Sequence, residues 1–192
     1  MDRISSSDGS TTSVDTVTIR EALLRLSSLG LVDFQEQRGF LLPVRSPQLQ
    51  HDLTQFRIFL EAEGACLSIR SGDVGWEARL AAAHHKLSHI EMRARDRIGD
   101  VEILRFWAEA EREFHQTLID ACGSEVLKST HAGIYDRFRQ QVITIDRNFV
   151  YVPENIIQHK AILDAVLARD EALTRKRITE HLARNLIDPP PT

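Results

Sequence analysis

The sequence predicts an all-α bundle of about six antiparallel helices, preceded by one short helix and a small β-hairpin. Three observations predict it. From residue 46 onward, apolar residues recur at helical spacing through six stretches separated by short polar breaks. Ahead of them, one amphipathic stretch ends at Gly30, and two short apolar runs then flank a polar turn. No apolar run is long enough to span a bilayer.

Composition narrows the function classes. A chain of 192 residues suits one ordinary domain, or a small domain joined to a larger one. With 42% hydrophobic and 27% charged residues it reads as soluble and globular. The polar start MDRISSSDGSTTS has no apolar core and is not a secretory signal. Cys66 and Cys122 lie in separate expected helices, which suggests neither a disulfide framework nor a zinc ribbon and fits the reducing cytoplasm. A net charge of -4 argues against a broadly basic, nonspecific nucleic-acid binder, though a local DNA-binding face stays possible. Aromatics at 6% argue against a base-stacking platform.

Taken in order, residues 1–13 are rich in Ser, Thr, Asp and Gly and are expected to be disordered. A helix follows at Thr16 to Leu29, with Ile19, Ala22, Leu23, Leu26 and Leu29 at helical period and Gly30 as its stop. Leu31 to Phe34 reads as a strand, Gln35 to Gly39 as a turn, and Phe40 to Leu42 as the returning strand closed by Pro43. The six later helices are expected near Pro47 to Arg70, Val74 to Arg95, Ile98 to Ala121, Glu125 to Ile145, Pro153 to Ala168 and Glu171 to Leu186. Ser124 and Asp170 are placed to be N-caps. Connections this short imply antiparallel neighbours. The domain boundaries are therefore drawn at 14–45 for the helix and hairpin and 46–188 for the bundle.

Of eight histidines, three lie on apolar helix faces. Glu111 and His115 are four residues apart, one turn along a face that continues through Leu104, Ala108, Leu118 and Cys122. His159 shares its face with Ile156, Leu163 and Val166, and His181 follows Ile178 by three positions. A carboxylate and three imidazoles gathered inside a bundle would suit a divalent transition metal: zinc first, with nickel, manganese or iron as alternatives. Spacing alone leaves that reading level with satisfied core histidines.

Two stretches resemble a known family. VDTVTIREALLRLSSLGLVDFQEQRGFLLP resembles the recognition helix and wing of GntR-family transcription factors. The order Glu111, Phe114-His115, then His159 with Ala161-Ile162-Leu163, then His181 resembles the FCD (FadR C-terminal) effector module of the same family. The resemblance implies a partial winged helix-turn-helix at 14–45, an FCD-type domain at 46–188, and metal ligation by Glu111, His115, His159 and His181, with Glu111 standing where the family usually has Asp. It further implies a homodimer that binds operator DNA, as a repressor, and a small carboxylic-acid effector that shifts the helix packing and so the spacing of the two DNA-binding units. Arg57 and Arg139 are the effector-binding candidates, and Arg20, Arg38 and Gly39 the DNA-binding ones. Arg57 has an alternative, an ion pair with Glu61 one turn on.

The match departs from the family before the recognition helix. Where the family usually reads Ser-Arg-Thr-Pro, this chain reads Asp15-Thr16-Val17-Thr18, and residues 1–46 hold six acids against five basic side chains. A fragment, or a natural variant with weakened DNA binding, would both read this way. Two other functions remain in view: a metal- and ligand-binding helical module without DNA binding, and a metalloenzyme. Glu113 and Glu180 are the nearby carboxylates for the latter, but their positions point away from the expected ligand face.

Overall fold

The computed structural model describes residues 16–95, 97, 100–142 and 154–187. The expected disordered segment 1–13, Asp15, and the break at 151–153 lie outside the described residues. Two compact units are present, divided after Ser46.

The first unit holds α1 (Thr16–Ser28), β1 (Asp33–Gln35) and β2 (Gly39–Leu41). α1 ends as the glycine predicts. Gly30 has φ +69, its N–H donates to Ser27 O at 3.0 Å, and Leu31 N–H reaches back to Leu26 O at 3.0 Å. That last bond engages Leu31, so the first strand begins two residues later than expected. The hairpin is correspondingly tight, pairing Asp33 with Leu41, Phe34 with Phe40 and Gln35 with Gly39. The Phe34 and Phe40 rings face each other across it at 5.1 Å. On α1 the side chains of Ile19 and Leu26 are exposed, as is Leu29 just past its end.

The second unit holds the six expected helices: α2 (Pro47–Ser71), α3 (Val74–Ala94), α4 (Val101–Leu118), α5 (Glu125–Val142), α6 (Glu154–Leu167) and α7 (Glu171–Ala183). Ser124 accepts from Leu127 N at 3.2 Å and Asp170 from Leu173 N at 2.9 Å, as N-caps should. Asp73 and Asp100 cap α3 and α4 in the same way. The packing is interleaved: α2 lies against α4, α5 and α7, while α3 lies against α4 and α6. The core joins Trp76, Leu80 and Leu87 of α3, Phe114 and Leu118 of α4, Ile162 and Val166 of α6, and Ile178 and Leu182 of α7. Trp76 satisfies its indole N–H on Thr117 O at 2.8 Å. Among the described residues, no helix is long and apolar enough to cross a membrane.

Two contacts fix how the helices meet. At the α6–α7 corner, Arg169 takes a left-handed backbone, φ +54, and its guanidinium donates to Ile69 O at 2.6 Å, Gly72 O at 2.9 Å and Glu77 at 2.7 Å, tying this corner to the α2–α3 corner. In mid-α2, Gly64 lets the helix approach the end of α4. A Cβ there would lie 2.8 and 2.9 Å from Ile119 and 3.0 Å from Leu127. Gly64→Ala should gain about 1 kcal/mol of helix propensity but lose about 1–3 kcal/mol to overpacking. We expect a net loss near 1 kcal/mol, read as a melting temperature lower by about 2–4 °C. An unchanged or higher melting temperature would mean that Ile119 yields freely.

Candidate metal centre

α4 carries two of the expected ligands because its buried register runs Trp107, Ala110, Glu111, Phe114, His115 and Leu118. α6 buries His159 beside Ile162, Leu163 and Val166, and α7 buries His181 between Ile178 and Leu182. Amphipathic packing alone therefore delivers one imidazole from each of three helices to the interior.

There the three converge. One ring nitrogen from each of His115, His159 and His181 falls within 4.8 Å of the others, the one such cluster among the described residues. The rings of His159 and His181 lie 4.4 Å apart, and those of His115 and His181 are stacked at 5.4 Å. The outer nitrogens face other groups: His115 Nδ1 meets Glu61 Oε2 at 2.7 Å, and His181 Nδ1 meets Gln158 Oε1 at 3.1 Å. His159 Nδ1 lies 3.1 Å from Glu91 Oε1 without the alignment of a hydrogen bond. The Nε2 atoms of His115 and His159 are buried with no partner. Burial pulls both His115 and His181 below the ordinary imidazole range; for His115 the carboxylate of Glu61 offsets this only in part, and for His181 the neighbouring His159 and His115 deepen it. Neutral, inward-facing imidazoles with unsatisfied nitrogens are what a divalent metal requires of its ligands.

Glu111 stands at the edge of this cluster. Its Oε1 is 3.4 Å from His115 Nε2 and 3.5 Å from Arg57 Nη2. Its Oε2 accepts from the Tyr135 hydroxyl and lies 3.8 Å from Arg139 Nη1. Burial pushes the Glu111 carboxyl up, but Arg57, His115, Arg139 and the Tyr135 bond together bring it down to about 2. It therefore has one oxygen toward the imidazoles and one held from α5. It is not within the 4.8 Å cluster formed by the three histidines.

Arg57 forms the intrahelical pair, with Nε 2.5 Å from Glu61 Oε1, and reaches Glu111 as well. Its guanidinium lies 4.7 Å from the ring centres of both Tyr135 and Phe138. Arg139 is less committed: it lies over the Trp107 ring at 4.7 Å, and its Nη2 is buried without a partner. In the first unit, Arg20 on α1 and Arg38 at the hairpin turn are exposed, and Gly39 opens β2 with φ +79.

Glu91, His131 and Tyr135 were not singled out by sequence, and Glu61 entered only as the alternative partner of Arg57. All four are buried polar groups, and Glu61 also faces His131 Nε2 at 2.9 Å. A signal for two of them was present. Glu61 precedes Gly64, Ala65 and Ser68 on the small-residue face of α2, and Glu91 continues the register Leu80, Ala83, Leu87 on α3. An acid in a core register needs a partner.

The FCD domain family matches residues 52–184. The HTH-type transcriptional regulator BphR of Paraburkholderia xenovorans (strain LB400) is 34% identical over 173 residues, covering 88% of this chain and 68% of the relative. The HTH-type transcriptional repressor GlaR of Escherichia coli (strain K12) is 31% identical over 168 residues, covering 85% and 74%. Among solved structures, E. coli McbR/YncC superposes with a TM-score of 0.73 at 20% identity, over 88% of this chain and 77% of that one. A GntR transcriptional regulator from Rhodococcus sp. RHA1 gives 0.69 at 20% identity, over 90% and 78%. These relatives are transcriptional regulators rather than enzymes, which sets the metalloenzyme reading aside. The chain belongs to the GntR family, in its FCD-domain branch, and is a transcriptional regulator.

Proposed function

We propose that this regulator senses a small organic acid through a divalent metal held by His115, His159 and His181, with Glu111 as the fourth donor. Zinc is the first candidate, with nickel, manganese or iron as alternatives. The observation that carries this reading is the convergence of three buried imidazoles, from three helices, with two Nε2 atoms left unsatisfied. Unsatisfied buried nitrogens are costly unless something fills the space between them. A metal there would offer the acid a Lewis-acidic anchor. Arg139 supplies the complementary charge, since its open Nη2 can donate to a carboxylate while Arg57 backs it from α2.

DNA binding is carried over from the HTH-type relatives. Arg20 and Arg38 are the exposed cations of the helix-and-hairpin unit that suit phosphate or base contact, with Gly39 allowing the tight wing. A cytoplasmic homodimer whose two DNA-binding units are respaced by effector binding completes the reading.

Metal content is the primary test. Purified wild-type protein should carry, or take up, close to one ion per chain, and His159→Ala should lose it. Absence of ion from the wild type after reconstitution would reject the site. With metal bound, small dicarboxylic and hydroxy acids should raise the melting temperature, and Arg139→Ala should abolish that rise while leaving metal content intact.

Acid sensitivity gives a second test. The unfolded chain protonates His181 near its ordinary value of 6.5, while the folded group is held well below it. Between those values the unfolded state binds more protons, so stability falls as pH drops. Glu111 adds a later loss, as pH falls from its usual 4.5 toward about 2. Chelator-treated protein should therefore melt at lower temperature at pH 5 than at pH 7, and His181→Asn should flatten that slope whatever its own melting temperature. An equal slope in both would refute the assignment.

A further inference from the structure

The outer nitrogens of the three imidazoles are not held alike. His181 Nδ1 faces the Arg184 guanidinium at 2.8 Å and the neutral amide of Gln158 at 3.1 Å, which Arg184 also contacts. His159 faces Glu91 at 3.1 Å but out of line. Only His115 has an aligned, anionic partner. Glu61 is fully buried, and each of its oxygens is engaged: Oε2 by His115 Nδ1 at 2.7 Å, Oε1 by Arg57 Nε at 2.5 Å and His131 Nε2 at 2.9 Å. The three partners come from α4, from one turn back on α2, and from α5. They leave the carboxylate no room to rotate.

This geometry determines where the His115 proton sits. Glu61 Oε1 is paired with the permanently charged Arg57 guanidinium at 2.5 Å, out of contact with solvent, so the carboxylate is ionised. An ionised carboxylate only accepts hydrogen bonds, so the proton on the 2.7 Å contact belongs to Nδ1. A neutral imidazole carries a single ring N–H, which leaves the lone pair on Nε2, the buried atom without a partner.

We propose that Glu61 is a positioning residue of the metal centre: it fixes His115 as the Nδ1–H tautomer, aims its Nε2 lone pair into the histidine cluster, and through its charge makes that nitrogen a stronger donor. This role rests on the reading that the cluster binds a divalent metal. A carboxylate behind a metal-bound imidazole raises ligand basicity and fixes ring orientation, and losing one weakens metal binding about 10- to 100-fold. His131 and Arg57 lock Glu61 in place.

The test uses the full chain after chelator treatment. Wild type, Glu61→Gln and His159→Ala are titrated with zinc against a chromophoric chelator, and the cobalt(II) absorption spectrum reports the coordination geometry. Glutamine keeps the shape and one acceptor but removes the charge. Wild type should bind one ion, and His159→Ala none. Glu61→Gln should bind with wild-type stoichiometry and about 10- to 100-fold weaker affinity. Histidine 15N NMR of the ion-free wild type, which needs no substitution, should find His115 protonated on Nδ1. Glu61→Gln affinity equal to wild type, or a wild-type His115 protonated on Nε2, overturns the proposal. A wild type that takes up no ion rejects the metal reading itself, and this role with it. Should Glu61→Gln not fold, the wild-type tautomer decides.

Discussion

A charged pair has been taken out of water at the centre of the bundle, and its neighbours are arranged around that fact. Arg57 and Glu61 lie one turn apart on α2, both essentially without solvent contact. Removing one member of such a pair costs about 3–5 kcal/mol, because the other is left as an uncompensated charge. Here the compensation is spread over three helices. Glu61 draws in His115 from α4 and His131 from α5; Arg57 draws in Glu111 from α4 and lies between the rings of Tyr135 and Phe138 on α5. The side of the histidine cluster nearest α2 is thus built by electrostatic satisfaction, whereas apolar packing of Phe114, Ile162 and Ile178 builds the rest.

The number of the helices and most of their starts were legible in the sequence because they are local properties, although α4 and α7 end at Leu118 and Ala183, three residues before the expected Ala121 and Leu186. Asp170 and Ser124 cap where they should, and Gly30 ends α1 with the expected bonds. The convergence of His115, His159 and His181 could be anticipated for a similar reason: each sits on an apolar stripe, and apolar stripes face inward. Which helices become neighbours was less legible. The main partners of α2 are α5 and α7, which the chain reaches only after long excursions, and short connections say nothing about such non-sequential contacts.

The electrostatic layer was largely hidden. Periodicity showed that Arg57 could pair with Glu61, but not that Glu61 would also receive two histidines from helices far along the chain. His131 has no apolar stripe as clear as that of His159 to mark it, and Tyr135 gains its meaning only from the Glu111 carboxylate across the helix interface. Likewise, placing Glu111 four residues before His115 put both on one face, but a glutamate side chain is long enough to be drawn toward α5 as well. Its division between an imidazole and two guanidiniums depends on tertiary neighbours, not on spacing.

Arg169 gives the α6–α7 hairpin a mechanical character. Its three bonds clamp the closed corner of the hairpin to the α2–α3 corner. His159 and His181 sit toward the opposite, open end, about 15 Å away by the rise of an α-helix. That end is tied as well, since Gln50 of α2 donates to Asn185 O at 3.1 Å just beyond His181. The second arm of the hairpin is therefore a strut pinned to α2 at both ends, with His181 in the span between the pins.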